Sequence, residues 1–249
     1  MNRFARPLVL AAALALTALP AAAQDFSAAQ RGEIEKIIKE YLIRHPEVLQ
    51  EAMAELEKKQ QLAETEKARS AIKNHSDALF NSPRQVVLGN PQGDVTFVEF
   101  FDYNCGYCKR ALTDMVEIMG KDPKLKVVLK EFPVLGPGSV EAAQVAVAVR
   151  MQDKTGKKYL EFHQKLLGGR GQVDKAKALA AAKEIGLDMA RLDKDLKSDE
   201  IGKTLEESMK LAEALGLNGT PSYVIGNDVV IGAVGQAALS QKIQAARQQ

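Results

Sequence analysis

Cys105 and Cys108 are the only cysteines in the 249-residue chain, and they stand together as Cys105-Gly106-Tyr107-Cys108. Thiols at this spacing suit disulfide exchange. One thiolate attacks a disulfide sulfur, and the second thiol resolves the mixed disulfide that forms. As a cross-link the pair would stabilise little, because so short a loop hardly constrains the unfolded chain. Zinc is another reading of a Cys-x-x-Cys. A structural zinc site takes four ligands, yet there is no second cysteine pair, and His45, His75 and His163 are scattered. Two thiolates also suit Cu(I), so copper at Cys105 and Cys108 stands as an alternative. No cofactor is expected.

Redox chemistry needs elements that hold the first sulfur ionised. Residues 95–101 form a dense apolar run of strand length, the cysteine pair follows, and a helix is expected to about residue 119. Residues 125–131 read as the next strand, completing a βαβ unit. Cys105 then sits at a helix N-terminus, where unpaired N–H groups and the positive end of the helix dipole favour a thiolate. That makes Cys105 the attacking sulfur and Cys108, one turn deeper, the resolving one. Glu99 lies inside the apolar strand, and a buried carboxylate needs a partner. Lys130, near the end of the next strand, is the expected one. His163 is expected to be an ordinary surface or interhelix histidine.

Around this unit the chain reads in three parts. Arg3 and Arg6, an apolar run from Leu8 to Leu19 and Ala21-Ala22-Ala23 have the order of an export signal over residues 1–23. The run is shorter than the roughly 20 residues that span a bilayer, although an uncleaved anchor is the alternative reading. Export would put the cysteines where disulfides persist. Without Arg3 and Arg6 the basic and acidic residues balance, so no nucleic-acid partner is expected.

Residues 24–80 read as a separate helical segment. Ile34, Ile37, Ile38, Tyr41 and Leu42 form one apolar stripe, and Val48, Leu49, Ala52, Met53 and Leu56 continue it beyond Pro46. A charged stretch over residues 57–69 follows as a solvated helix or semi-rigid connector. Residues 81–249 read as one α/β domain in the order β-β-α-β, a helical insert over about residues 139–216, then β-β-α. Ser139 is the expected N-cap of the first insert helix.

The stretch Phe100-Phe101-Asp102-Tyr103-Asn104-Cys105-Gly106-Tyr107-Cys108 resembles the DsbA-like branch of the thioredoxin superfamily. Gly219-Thr220-Pro221-Ser222-Tyr223 resembles that family's loop before the penultimate strand. The resemblance covers about residues 86–246. It implies a thioredoxin fold with an inserted helical domain, a cis proline at Pro221 lying against the cysteines, and a Thr220 backbone that pairs with an extended client. It also implies that Glu99 lies beneath the cysteines and helps move protons.

The direction of exchange is read from three departures. DsbA itself has Pro-His between its cysteines and Val before its cis proline, whereas Gly106, Tyr107 and Thr220 match the pairing seen in the periplasmic disulfide isomerase DsbC. Without a cationic His beside the attacking sulfur, the disulfide should be less oxidising. The N-terminal segment, with Tyr41-Leu42 and His45-Pro46-Glu47-Val48-Leu49, resembles the extension of ScsC and Com1-like relatives. That resemblance implies a homo-oligomer, a trimer being favoured, formed through residues 26–60. The expected activity is therefore a periplasmic disulfide isomerase or reductase. It would act on exported cysteine-containing clients and be kept reduced by a membrane reductant of the DsbD or ScsB type. A DsbA-like dithiol oxidase is the alternative.

Overall fold

The computed structural model describes residues 26–248, so the expected export signal over residues 1–23 lies outside the described residues. The chain divides into two compact units after Glu57.

The first unit holds α1 (Ala28–Arg44) and the beginning of α2 (Glu47–Asn74). A capping box starts α1. The Ser27 hydroxyl accepts from the Gln30 N–H at 3.3 Å, and the Gln30 side chain accepts from the Ser27 N–H at 2.9 Å. His45 caps its C-terminus, and Pro46 leads into α2 as a residue suited to a first turn. No residue of α1 is buried. Ile37 is 63% exposed and Met53 62%, so the apolar stripe lies open. The charged stretch over residues 57–69 is helical throughout as part of α2.

The second unit is built on a five-stranded sheet, β1 (Val86–Gly89), β2 (Val95–Phe101), β3 (Leu125–Glu131), β4 (Ser222–Ile225) and β5 (Asp228–Ile231), in the order β1-β3-β2-β4-β5. β2 runs parallel to β3, and the other pairings are antiparallel. After α3 (Ser76–Phe80), α4 (Gly106–Lys121) crosses from β2 to β3. Five helices lie between β3 and β4: α5 (Pro137–Gln152), α6 (Lys157–Gly168), α7 (Lys175–Glu184), α8 (Met189–Asp195) and α9 (Asp199–Ala214). The chain closes on α10 (Gln236–Ala246).

Alternation along β2 and β3 gives the sheet two apolar faces. Phe97, Phe101, Val127 and Leu129 join the core that contains Cys108 and Met115 of α4. Val98, Phe100 and Val128 join the other core, with Leu79, Leu211 and Leu215.

That alternation corrects the expected Glu99–Lys130 pair. The parallel register places Glu99 opposite Leu129, and Lys130 beside Phe100. Successive side chains point to opposite faces, so the two charges are separated by the sheet itself. The Lys130 ammonium instead donates to the Ala78 carbonyl at 2.6 Å and to Glu207 at 3.5 Å. A second correction concerns Ser139. Gly136, with φ of 109°, precedes α5, and Pro137 takes the first helical turn. Ser139 is inside the helix and buried, with its hydroxyl already bonded to Asp102.

Candidate active site

β2 ends at Phe101 and α4 begins at Gly106, so residues 102–105 make the turn that presents the redox pair. Cys105 is the N-cap of α4. Its sulfur accepts from the Cys108 backbone N–H at 3.3 Å, which satisfies one of the helix's unpaired donors. From the far side of the fold, the Thr220 carbonyl oxygen comes within 3.1 Å of the same sulfur, which donates to it. The Thr220–Pro221 peptide is cis. The geometry thus brings Cys105, Cys108, Thr220 and Pro221 into one site.

Both cysteines are free thiols. Cys108 is fully buried, and burial pushes its thiol up. Gly106 faces open space, where a Cβ would meet nothing within 4 Å. Tyr107 is exposed, with the Arg110 guanidinium 4.6 Å above its ring. The linker between the cysteines is therefore a surface feature, open to a partner.

Glu99 lies on the same face of the sheet as the cysteines. Desolvation, and to a smaller extent the charge of Asp114, raise its carboxyl to about 8. Its Oε2 finds no hydrogen-bond donor among the described residues, and neither Glu99 nor Cys108 is exposed. Tyr223 stands opposite it in the β2–β4 register, with its hydroxyl also unpartnered. Once ionised, Glu99 raises the Cys108 thiol further by its charge. A carboxyl that is protonated at neutral pH and close to the deeper sulfur can give or take a proton there.

Asp102 and Asn104 were not legible as site residues from the sequence. The Asp102 side chain is 1% exposed, and its Oδ1 accepts from the Asn104 N–H at 2.7 Å and the Ser139 hydroxyl at 2.7 Å. Its Oδ2 accepts from the Val134 and Leu135 N–H groups at 2.8 and 2.9 Å. The Asn104 side chain donates to the Val173 carbonyl at 2.9 Å and accepts from the Val173 N–H at 2.7 Å. The only sequence signal was two polar residues in a short turn between a buried strand and a helix.

A third buried group lies on the insert side. The Tyr159 hydroxyl donates to Glu131, whose carboxyl is pushed well above the carboxylate range by burial. Tyr103 stands 3.4 Å from the Tyr159 hydroxyl and 3.5 Å from His163 Nδ1. His163 is buried, with its ring 4.5 Å from that of Phe101, and desolvation brings it down to about 3. It is a neutral interior histidine of α6, and a surface position is ruled out.

Among the described residues no group of three or more His, Cys, Asp or Glu is placed to hold a metal ion, and no helix is long and apolar enough to cross a membrane. Residues 96–244 match the family model of the DSBA-like thioredoxin domain, and residues 30–63 that of the Copper resistance protein ScsC N-terminal domain. A thioredoxin-like oxidoreductase from Silicibacter pomeroyi DSS-3 has 44% sequence identity and a TM-score of 0.66, over 70% of this chain and 98% of its own. Proteus mirabilis ScsC in a transitional conformation has 30% identity and a TM-score of 0.66, over 90% of this chain and 99% of its own. Among curated relatives, the Na(+)/H(+) antiporter NhaA 1 of Mycobacterium sp. (strain KMS) is 26% identical over 171 residues. That match covers 66% of this chain but only 27% of the antiporter's length. With a five-stranded sheet, a helical insert between β3 and β4, and a family match from the second strand to the last helix, the chain belongs to the DSBA-like thioredoxin-domain family.

Proposed function

We propose that the chain is an exported thiol–disulfide oxidoreductase that isomerises or reduces disulfides in exported proteins through Cys105 and Cys108. One observation carries this reading. The Cys105 sulfur sits at the mouth of α4, receives the Cys108 N–H at 3.3 Å and lies 3.1 Å from the Thr220 carbonyl. In the reaction the Cys105 thiolate attacks one sulfur of a client disulfide. The client S–S bond breaks, the other client sulfur leaves as a thiolate, and a Cys105–client disulfide forms. A different client thiol then displaces Cys105 and leaves a rearranged disulfide. Alternatively, Cys108 loses its proton and attacks Cys105, so that the client leaves reduced and the pair is oxidised. A membrane reductant of the DsbD or ScsB type would supply the two electrons that reset it. Glu99 would exchange the proton of Cys108, and the half-buried Thr220 is where an extended client would pair.

Isomerisation or reduction is favoured over oxidation by Gly106, Tyr107 and Thr220. No cation stands between the cysteines to over-stabilise the thiolate. Measured in cells, the pair is expected to be mostly reduced, and the purified protein is expected to restore activity to scrambled ribonuclease. A mostly oxidised pair that cannot unscramble the client would assign the protein to dithiol oxidation instead.

The N-terminal helices are proposed to join protomers, with a trimer favoured. α1 buries none of its residues, and its stripe of Ile34, Ile37, Ile38 and Tyr41 lies open. Apolar helix faces are stable only when packed on another element. Linked sites would act on one client at high effective concentration. Light scattering on the mature protein is expected to give a trimer mass, and the double variant Ile37→Lys, Tyr41→Lys a monomer mass. A monomeric wild type would remove this part of the reading.

A further inference from the structure

We infer that Asp102 is a positioning residue for protein clients. Together with Asn104 it clamps the redox turn to the loop after β3 and to the helical insert. This rests on the exchange reading above and goes beyond it: the Asp102 backbone bonds the Cys108 thiol, a contact that Asp102→Asn keeps, and the role inferred here belongs to the side chains of Asp102 and Asn104.

The geometry is that of a fully used acceptor. All four partners of Asp102 are donors, at 2.7–2.9 Å, and they come from three segments. Asn104 belongs to the redox turn, Val134 and Leu135 to the loop after β3, and Ser139 to α5. The Asp102 backbone carbonyl in addition accepts from the Cys105 N–H at 3.1 Å. One residue thus ties the backbone of the attacking cysteine to the loop that carries Val134 and Leu135. Val134 and Leu135 are apolar and 42% and 49% exposed. Asn104 makes the second tie. Its amide pairs with both backbone groups of Val173 and donates to the Ser139 hydroxyl at 3.0 Å. The junction is tight, since a Cβ on Gly138 would stand 2.8 Å from the Val173 carbonyl oxygen.

An apolar loop locked beside a thiol suits an extended client with bulky apolar side chains near its cysteine. A small disulfide or alkylating reagent needs only the sulfur, which keeps its contacts to Cys108 and Thr220 whether or not the loop is held. Client binding and intrinsic thiol reactivity should therefore separate on loss of the clamp.

Three variants test this: Asp102→Asn, Asn104→Ala and Gly138→Ala. In Asp102→Asn the amide presents a donor to at least one backbone N–H, whichever way it is turned. Each is compared with wild type for scrambled-ribonuclease turnover, for the alkylation rate of Cys105 by iodoacetamide, and for thermal unfolding. The expected result is a rise in KM for the client of about tenfold or more, with kcat and the alkylation rate within about twofold of wild type, since loss of positioning alone can reach 100-fold. If Asp102→Asn does not fold, Asn104→Ala and Gly138→Ala decide the matter by the same criteria. Unchanged KM in the folded variants overturns the inference, and so does a parallel loss of client turnover and alkylation. Wild type that turns over no client would overturn the exchange reading itself, a result visible before any variant is made.

Discussion

Cys105→Ser is expected to abolish disulfide exchange, with turnover of scrambled ribonuclease falling on the order of 1,000-fold or more, as for removal of a nucleophile. A hydroxyl at this position cannot form the client–enzyme disulfide, so no alternative route remains through Cys108. The deeper sulfur is fully buried and its thiol is pushed up by burial, whereas Cys105, 4% exposed, sits at the helix N-terminus beside the Thr220 carbonyl. Cys108→Ser should behave differently. Attack by Cys105 still proceeds, but Cys108 no longer resolves the product, so clients without a free thiol of their own to displace Cys105 accumulate as mixed disulfides that reductant releases. Non-reducing gels of the two variants give the readout. Trapped client on Cys105→Ser, and none on Cys108→Ser, would reverse the assigned roles.

The second large effect is on stability. At alkaline pH Glu99→Gln should stabilise the protein, by on the order of 4 kcal/mol near pH 8. Burial raises the Glu99 carboxyl from 4.5 to about 8. Below pH 4.5 both folded and unfolded chains hold this proton, so Glu99 adds no pH dependence there. Between 4.5 and about 8 the unfolded chain releases the proton while the native one keeps it. The unfolded state then binds fewer protons, and stability falls as pH rises. Above about 8 the native carboxyl ionises too, and the loss is complete. Glutamine has no proton to release, so the variant lacks this slope.

Glu131, also raised by burial, keeps its own share of the slope, which therefore shrinks without vanishing. Lys130 acts in a separate window. Desolvation lowers it to about 8, so between about 8 and 10.5 its effect is to raise stability with pH. Urea midpoints at pH 5 and pH 8 are the measurement. An equal change in the two proteins would mean that Glu99 is not held protonated. Between pH 7 and 9 the variant should also lose part of the pH dependence of exchange, because the group beside Cys108 no longer titrates.

Much of the scaffold was legible because its signals are local. The apolar run of β2 and the stripes of α1 and α2 follow from period. Cys105 at the head of a helix followed from a strand ending just before it. Ser139 misled because a serine before an Ala- and Val-rich helix is a good cap. The structure starts the helix earlier, at a glycine with positive φ and a proline, and gives the hydroxyl to Asp102.

The amino-acid sequence by itself determined the two sulfurs, the strand–helix–strand that carries them and the presence of a long helical insert. All of these rest on spacings of a few residues. Only the tertiary structure decided who meets whom across the sheet and across the insert. Glu99 and Lys130 differ by one step of strand parity, which puts the first beneath the cysteines and the second against Ala78 and Glu207. Asp102 and Asn104 find partners 32 to 69 residues away. Such contacts carry no period along the chain. They are set by register and packing, which exist only once the sheet has formed.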